Sequence, residues 1–116
     1  QQGAVYVFTL SGTTWTEQQK LVASDAANGD YFGFSVAISG GTAVIGALFK
    51  NGHGEAYIFT RSGMIWAEQS KLLPGNGEGD FGASVAIDLP IAVLGIPFDT
   101  FGGANPRGSA RVYTLP

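Results

Sequence analysis

Gly3-Ala-Val-Tyr-Val-Phe-Thr9 returns 51 residues later as Gly54-Glu-Ala-Tyr-Ile-Phe-Thr60, and again as Gly108-Ser-Ala-Arg-Val-Tyr-Thr114. The match continues outward from that stretch. Ser11-Gly12 pairs with Ser62-Gly63, Trp15 with Trp66, Glu17-Gln18 with Glu68-Gln69, and Lys20-Leu21 with Lys71-Leu72. From Gly3 to Leu21, 11 of 19 positions are identical. After a two-residue shortening, Phe32-Gly33 matches Phe81-Gly82, Ser35-Val-Ala-Ile38 matches Ser84-Val-Ala-Ile87, and Ala43-Val-Ile-Gly46 matches Ala92-Val-Leu-Gly95. A fixed period of roughly 50 residues marks a repeat architecture, in which each unit buries its apolar face against the next.

Each unit reads as four short strands. Ala4–Thr9 is rich in the Val, Tyr and Phe that suit a pleated surface. Ser11-Gly12 makes a turn into Thr14–Leu21, and a polar loop over Ser24–Asp30 leads to Phe34–Ser39. Gly40-Gly41 is a two-residue hairpin signal before Thr42–Leu48. The same reading predicts Glu55–Thr60, Ile65–Leu72, Ala83–Asp88, Ile91–Ile96 and Ala110–Thr114. The 18 glycines oppose helix, and no stretch has useful helical periodicity. Two strands of each unit are almost wholly small or β-branched, which predicts burial on both faces. A four-stranded antiparallel sheet covered on both sides by like sheets is a propeller blade. The predicted class is therefore all-β, a single repeat domain of β-propeller blades. It has the outer strands of one blade in 1–23, a complete blade in 31–73, and the inner three strands of a further blade in 80–116. Trp15 and Trp66 fall on outer strands and are expected to fill space between blades. Nine strands make just over two blades, whereas a closed ring has roughly four to eight. Completion by oligomerisation or by further chain is expected.

Composition excludes several classes. With 45% hydrophobic and 13% charged residues the chain can build a core and is not disordered. No apolar run approaches the roughly 20 residues of a membrane helix, so no membrane span is predicted. Six basic against nine acidic residues give −3, without a basic cluster, so nucleic acid is not an expected partner. The absence of cysteine removes disulfides, thiolate zinc sites and cysteine nucleophiles. No signal peptide stands in the sequence, and a mature chain would have lost one.

The segments Phe32-Gly33 … Gly46-Ala47 and Phe81-Gly82 … Gly95-Ile96-Pro97 resemble the FG-GAP repeat of integrin-alpha-type β-propellers. The resemblance runs from Gly3 to Thr114 and implies an extracellular propeller, usually seven-bladed. Many members carry an Asp-x-Asp-x-Asp-Gly calcium loop between the two inner strands. Here that hairpin is Ser39-Gly-Gly-Thr42 or Asp88-Leu-Pro-Ile91, too poor in oxygen ligands for calcium. The calcium sites are not carried over, and no cofactor is expected.

Acidic loops precede each Phe-Gly. Asp25, Asn28 and Asp30 in one, and Asn76, Glu78 and Asp80 in the other, are candidates for cation binding, although turn chemistry accounts for the same residues. The acid just before Phe-Gly in each copy reads as a repeated structural turn. His53, the only histidine, lies in a Gly-rich connection and reads as a solvated loop residue. Glu17 and Glu68 occupy equivalent positions on different blades, too far apart for glycoside hydrolysis, and read as surface carboxylates. No phosphate loop is present. A non-enzymatic extracellular scaffold or protein-interaction module is the leading functional expectation. Its partners would be further copies of the chain or the remainder of a longer propeller. The alternative is a lectin-like propeller binding a glycan at blade junctions, for which Tyr31, Phe34, Phe49, Phe98 and Phe101 are the stacking candidates. Phe32, Gly33, Gly46, Phe81, Gly82 and Gly95 are the structural repeat positions.

Overall fold

A computed structural model describes residues 2–74, 79–99 and 108–116. Among them are nine strands: β1 (Val5–Ser11), β2 (Thr14–Leu21), β3 (Phe32–Ser39), β4 (Thr42–Ala47), β5 (Glu55–Ser62), β6 (Ile65–Leu72), β7 (Ser84–Asp88), β8 (Ile91–Ile96) and β9 (Ser109–Thr114). They form three antiparallel sheets, β1-β2, β3-β4-β5-β6 and β7-β8-β9. This is the all-β arrangement of blades that the repeat predicts, and the nine strands do not close a ring. Two-residue loops join the strands of each hairpin, because Ser11 pairs Thr14, Ser39 pairs Thr42, Ser62 pairs Ile65 and Asp88 pairs Ile91. Gly12 and Gly63 adopt φ of 63° and 62° in equivalent turns, a conformation that glycine takes without a Cβ penalty. The repeat extends to irregularities: β1 slips register between Val7 and Phe8, and β5 does so between the equivalent Ile58 and Phe59.

Each blade has a face toward the preceding sheet and one toward the following sheet. Leu21 and Ala23 from the β1-β2 side meet Phe32, Ile45, Ala47, Tyr57, Phe59 and Trp66 in one buried cluster. On the other side of the complete blade, Val44, Ala56 and Ile58 meet Phe81, Ala92, Leu94 and Ile96 in a second. Alternate residues of β4 and β5 thus serve different cores, which is why both strands are buried throughout their centres. Of the strands predicted to be buried on both faces only β4 is; β3, β7 and β8 alternate. The physical reason is a missing neighbour. The two-stranded sheet has no inner strands to cover the preceding face of β3, so Phe34, Val36 and Ile38 are exposed. Their counterparts Val85 and Ile87 pack on the second cluster. The tryptophans divide likewise. Trp66 is 6% exposed in the first cluster, whereas Trp15, with no sheet before it, is 64% exposed. The expectation of interblade packing at Trp15 is corrected on that ground.

Backbone joins the sheets as closely as side chains do. Gly3 and Gly54 take φ of 89° and 86°, and a Cβ on either would lie 2.0 and 2.2 Å from the carbonyl oxygens of Phe32 and Phe81. The residue before each glycine completes the joint: the Phe32 N–H donates to the Gln2 carbonyl (3.1 Å), and the Phe81 N–H to the His53 carbonyl (2.9 Å). Gly46 is equally constrained, its absent Cβ falling 2.2 Å from the Gly82 carbonyl and 2.4 Å from Ser35 Oγ. Ser35 Oγ–H itself donates to Gly82 O at 2.7 Å. The repeated Phe-Gly and the glycine opening the Gly-x-x-Tyr stretch are two halves of one contact.

Candidate functional site

Two features concentrate chemistry: a polar joint between the first two sheets and an apolar groove beside it. The joint is built on the loop after β2, which crosses to β3. A 3-10 turn over Lys50–Gly52, following β4, brings Lys50 beneath that loop. Lys50 Nζ donates to the Asp25 carbonyl (2.5 Å) and to Asp30 Oδ2 (2.9 Å), and lies 3.7 Å from Asp25 Oδ2. Lys71 Nζ, from β6, contacts Asp25 Oδ2 at 2.5 Å and Glu55 Oε1 at 3.0 Å. Tyr57 O–H donates to Asp25 Oδ1 at 2.7 Å, and Asn51 Nδ2 to Glu55 Oε2 at 2.8 Å. Lys50, Asp30 and Glu55 are buried. Buried charge is tolerated only when paired and hydrogen-bonded, and here every carboxylate is.

The titration behaviour follows from this geometry. Burial works to raise the Asp25 carboxyl, but hydrogen bonds from Lys71 and Tyr57 and the charges of Lys50 and Lys71 outweigh it. They hold its pKa down to about 2. The Tyr57 phenol is pushed well above its ordinary value, by burial first and then by the hydrogen bond to Asp25 and the surrounding carboxylates. Lys71 is raised chiefly by its hydrogen bond to Asp25, with Glu55 adding to it against burial. Two ammonium groups occupy the space that Asp25 and Asp30 offer a cation. Among the described residues no group of three or more His, Cys, Asp or Glu is arranged to hold a metal ion.

Hydrogen bonding realigns the two acidic loops. The Phe49 N–H donates to the Asp30 carbonyl, and the equivalent Phe98 N–H to the Gly79 carbonyl. Asp30 therefore corresponds to Gly79, and Asp80 to Tyr31; Tyr31 and Asp80 share a left-handed φ of 59° and 64°. The reading of a repeated acid before Phe-Gly is corrected accordingly: Asp80 stands directly before Phe81, Asp30 is separated from Phe32 by Tyr31, and only the backbone turn repeats. Lys50 in turn corresponds to Asp99, a buried acid that accepts from Ser109 Oγ at 2.6 Å. Asn76, Glu78 and Phe101 lie outside the described residues. Asn28 is exposed on the loop.

His53 lies in the connection before β5, as expected, and is tied down there. It is half-buried, its carbonyl holds Phe81, and its ring Nδ1 lies 2.8 Å from Gly54 O. Glu68 also serves a joint, its two oxygens accepting from the Ser24 N–H (3.0 Å) and Oγ–H (2.9 Å), while Glu17 is exposed. Gln19 adds a two-point contact, donating through Nε2 to Trp66 O and accepting from Trp66 N–H through Oε1, both at 2.8 Å. Of the aromatic candidates, Tyr31 and Phe49 stand edge to face with centroids 5.0 Å apart and are partly exposed. Phe34 and Phe98 are exposed.

The groove opens where the inner strands of the first sheet are absent. It measures about 250 Å³ and runs between β1 and β3-β4, lined by Val5, Val7, Val36, Ile38, Ile45 and Trp66 among others. One wall is the edge of β1 that has no strand beside it.

The joint residues Lys50, Tyr57 and Lys71 escaped sequence reasoning because their partners Asp25 and Asp30 come from a loop 20 to 46 residues away, and Glu55 because its partner Lys71 lies 16 residues on. The one available signal was the repeated Tyr and Lys: Lys20 lies over the Tyr6 ring at 5.9 Å, as Lys71 lies over Tyr57 at 5.4 Å. Residues 15–59 match the family model of the FG-GAP repeat. That span starts in β2 and ends in β5, so the matched unit crosses the polar joint. No curated protein matches the chain.

Proposed function

We propose that the chain is a non-enzymatic β-propeller module that acts as an extracellular structural or protein-interaction scaffold. It assembles through blade-to-blade and strand-exchange contacts, with further copies of itself or with the remainder of a longer propeller. One observation carries this reading: both ends of the three-sheet array present apolar faces and open strand edges of complementary kind. At one end Tyr6, Phe8, Leu10, Trp15, Val36 and Ile38 are exposed, and at the other Ile91, Val93 and Val112. Soluble chains rarely leave such surfaces uncovered, and open edges recruit further strands. The FG-GAP repeat match over residues 15–59 supports the propeller module and its extracellular setting. The polar joint supports a structural role, since its charges are mutually satisfied rather than aimed at an open site. Light scattering on the purified chain tests the reading. Species larger than 12 kDa, with β-rich circular dichroism, are expected; a folded, monodisperse species of 12 kDa would refute it.

A second reading, glycan binding, is favoured by the exposed edge-to-face pair Tyr31 and Phe49, a geometry that presents an aromatic face to a pyranose. A glycan array tests it, and loss of any hit in Tyr31→Ala is the expected outcome. A hit unchanged in that variant would place the sugar elsewhere.

A further inference from the structure

We infer that Asn28-Gly29 is a self-modification site, where the side-chain amide is lost and the chain is rejoined through an isoaspartyl linkage that loosens the polar joint. The site belongs to the joint and is independent of any partner. Asparagine followed by glycine is the pair in which a main-chain nitrogen most easily reaches the preceding side-chain amide, because glycine has no Cβ to hinder the approach. The sequence holds three such pairs, Asn28-Gly29, Asn51-Gly52 and Asn76-Gly77. The last lies outside the described residues.

Structure separates the first two. Asn28 and Gly29 form the tip of the turn from Ala27 to Asp30, and Asn28 is exposed. Among the described residues no hydrogen bond holds the Asn28 amide or the Gly29 N–H. At Asn51 both reacting groups are engaged. Its Nδ2 donates to Glu55 Oε2 at 2.8 Å, and the Gly52 N–H donates to the Phe49 carbonyl at 2.9 Å. A Cβ on either glycine would meet nothing within 4 Å, so open space does not distinguish the pairs; hydrogen bonding does. Both bonds must open before the Asn51 amide can be attacked, and the free energy of that local opening adds to its barrier.

The reaction needs only water. The Gly29 N–H gives its proton to solvent base, and the nitrogen attacks Asn28 Cγ. The N–Cγ bond forms, the Cγ–Nδ2 bond breaks, and Nδ2 takes back a proton and leaves as ammonia. One water then hydrolyses the succinimide ring. Opening at Cγ leaves an aspartyl residue. Opening at the main-chain carbonyl of position 28 leaves the chain running through Cβ and Cγ, an isoaspartyl residue with a free α-carboxylate. Either way an amide becomes a carboxylate, and the formal charge of −3 gains one negative charge.

That turn is part of the joint. The Ala27 N–H donates to Asp30 Oδ2 at 2.9 Å and the Asp30 N–H to the Ala27 carbonyl at 3.3 Å, a reciprocal pair that spans positions 28 and 29. The same Asp30 Oδ2 receives the buried Lys50 ammonium at 2.9 Å. An isoaspartyl residue lengthens the main chain inside that span by a methylene, so the two bonds cannot both keep their length while Asp30 stays on Lys50. The new carboxylate also stands between Asp25 and Asp30 in the chain, where like charge opposes it.

Peptide mapping of the whole chain after incubation in mildly alkaline buffer tests the site. Trypsin releases Leu21–Lys50, Asn51–Arg61 and Leu72–Arg107, which carry the three pairs separately. In the folded chain Asn28 should convert at least tenfold faster than Asn51, read as the mass change from amide to carboxylate and as labelling by an isoaspartyl methyltransferase. In concentrated urea the two rates should fall within threefold of each other. Equal rates in the folded chain, a faster Asn51, or a preference that survives urea would overturn the site. The consequence is read on the acidic species isolated by ion exchange from an aged Asn76→Gln chain. Its urea midpoint should lie below that of the fresh chain. A chain carrying Asn28→Gln as well, whose longer side chain closes the ring far more slowly, should keep its midpoint on ageing. An acidic species modified at Asn28 with an unshifted midpoint would overturn the loosening of the joint.

Discussion

Replacing Gly54 by alanine isolates the contact that joins one blade to the next. Gly54 has φ of +86°, and a Cβ there would meet Phe81 O at 2.2 Å, with Leu48 O and Phe81 N at 2.8 Å. All three are backbone atoms of neighbouring elements, so no side chain can swing aside. Ordinary contact begins near 3.4 Å, so the Phe81 carbonyl must retreat by about 1.2 Å, the difference between those two distances. The left-handed conformation alone costs an alanine about 1–2 kcal/mol. The retreat also strains the hydrogen bond between Phe81 N–H and His53 O, worth about 1 kcal/mol, and loosens the fully buried Phe81 ring. Forced overpacking adds roughly 1–3 kcal/mol. A loss of about 4 kcal/mol is expected for Gly54→Ala. Gly63→Ala is the control: its φ is +62° and nothing lies within 4 Å of the place its new methyl group would take, so only the conformational cost of about 1 kcal/mol remains. Urea denaturation followed by circular dichroism measures both. Equal losses in the two variants would refute the claim that Phe-Gly and the repeated glycine form one steric joint.

Lys50→Met should cost about 3–5 kcal/mol, because it leaves the buried Asp30 carboxylate without its ammonium partner. Adding Asp30→Asn should recover most of the loss in a double-mutant cycle, and strict additivity would contradict the pairing. Asp25 has a folded pKa near 2 against an ordinary 3.8, so its contribution is complete above 3.8 and is lost as pH falls through 2. Urea midpoints at pH 5, 3 and 2 should decline less in Asp25→Asn than in the parent; parallel curves would exclude Asp25 as the acid-sensitive group. Lys71 and Tyr57 are raised, so the stability they contribute is present at neutral pH and decays above about pH 10. Between pH 9 and 11 the urea midpoint should accordingly fall less steeply in Asp25→Asn, which removes the anion both groups contact, and parallel curves would argue against that coupling. Trp66→Ala should cost about 3–5 kcal/mol and Trp15→Ala less than about 1 kcal/mol in the dilute chain, and equal thermal shifts would contradict their unequal burial.

Sequence alone determined the strands and their grouping into blades, because the determinants are local and stated twice. Alternating β-formers, two-residue turns at Ser11-Gly12 and Gly40-Gly41, and the recurrence of Phe-Gly fix where the chain pleats and reverses. The equivalence of β1, β5 and β9 was likewise legible, and β5 and β9 pair with β4 and β8 in the same register. What sequence left open depends on which neighbours a strand finds. Trp15 and Trp66 are identical letters at equivalent positions, yet one is exposed and one buried, since only Trp66 has a sheet on its preceding side. Val36 and Val85 differ for the same reason. The acidic loop was visible, but its cations were not. Lys50, Lys71 and Tyr57 reach Asp25 from two later strands and a turn, through a connection whose length differs between copies. Periodicity encodes the faces a strand presents; the tertiary arrangement decides what stands opposite each face, because that is set by chain crossings between sheets rather than by any local pattern.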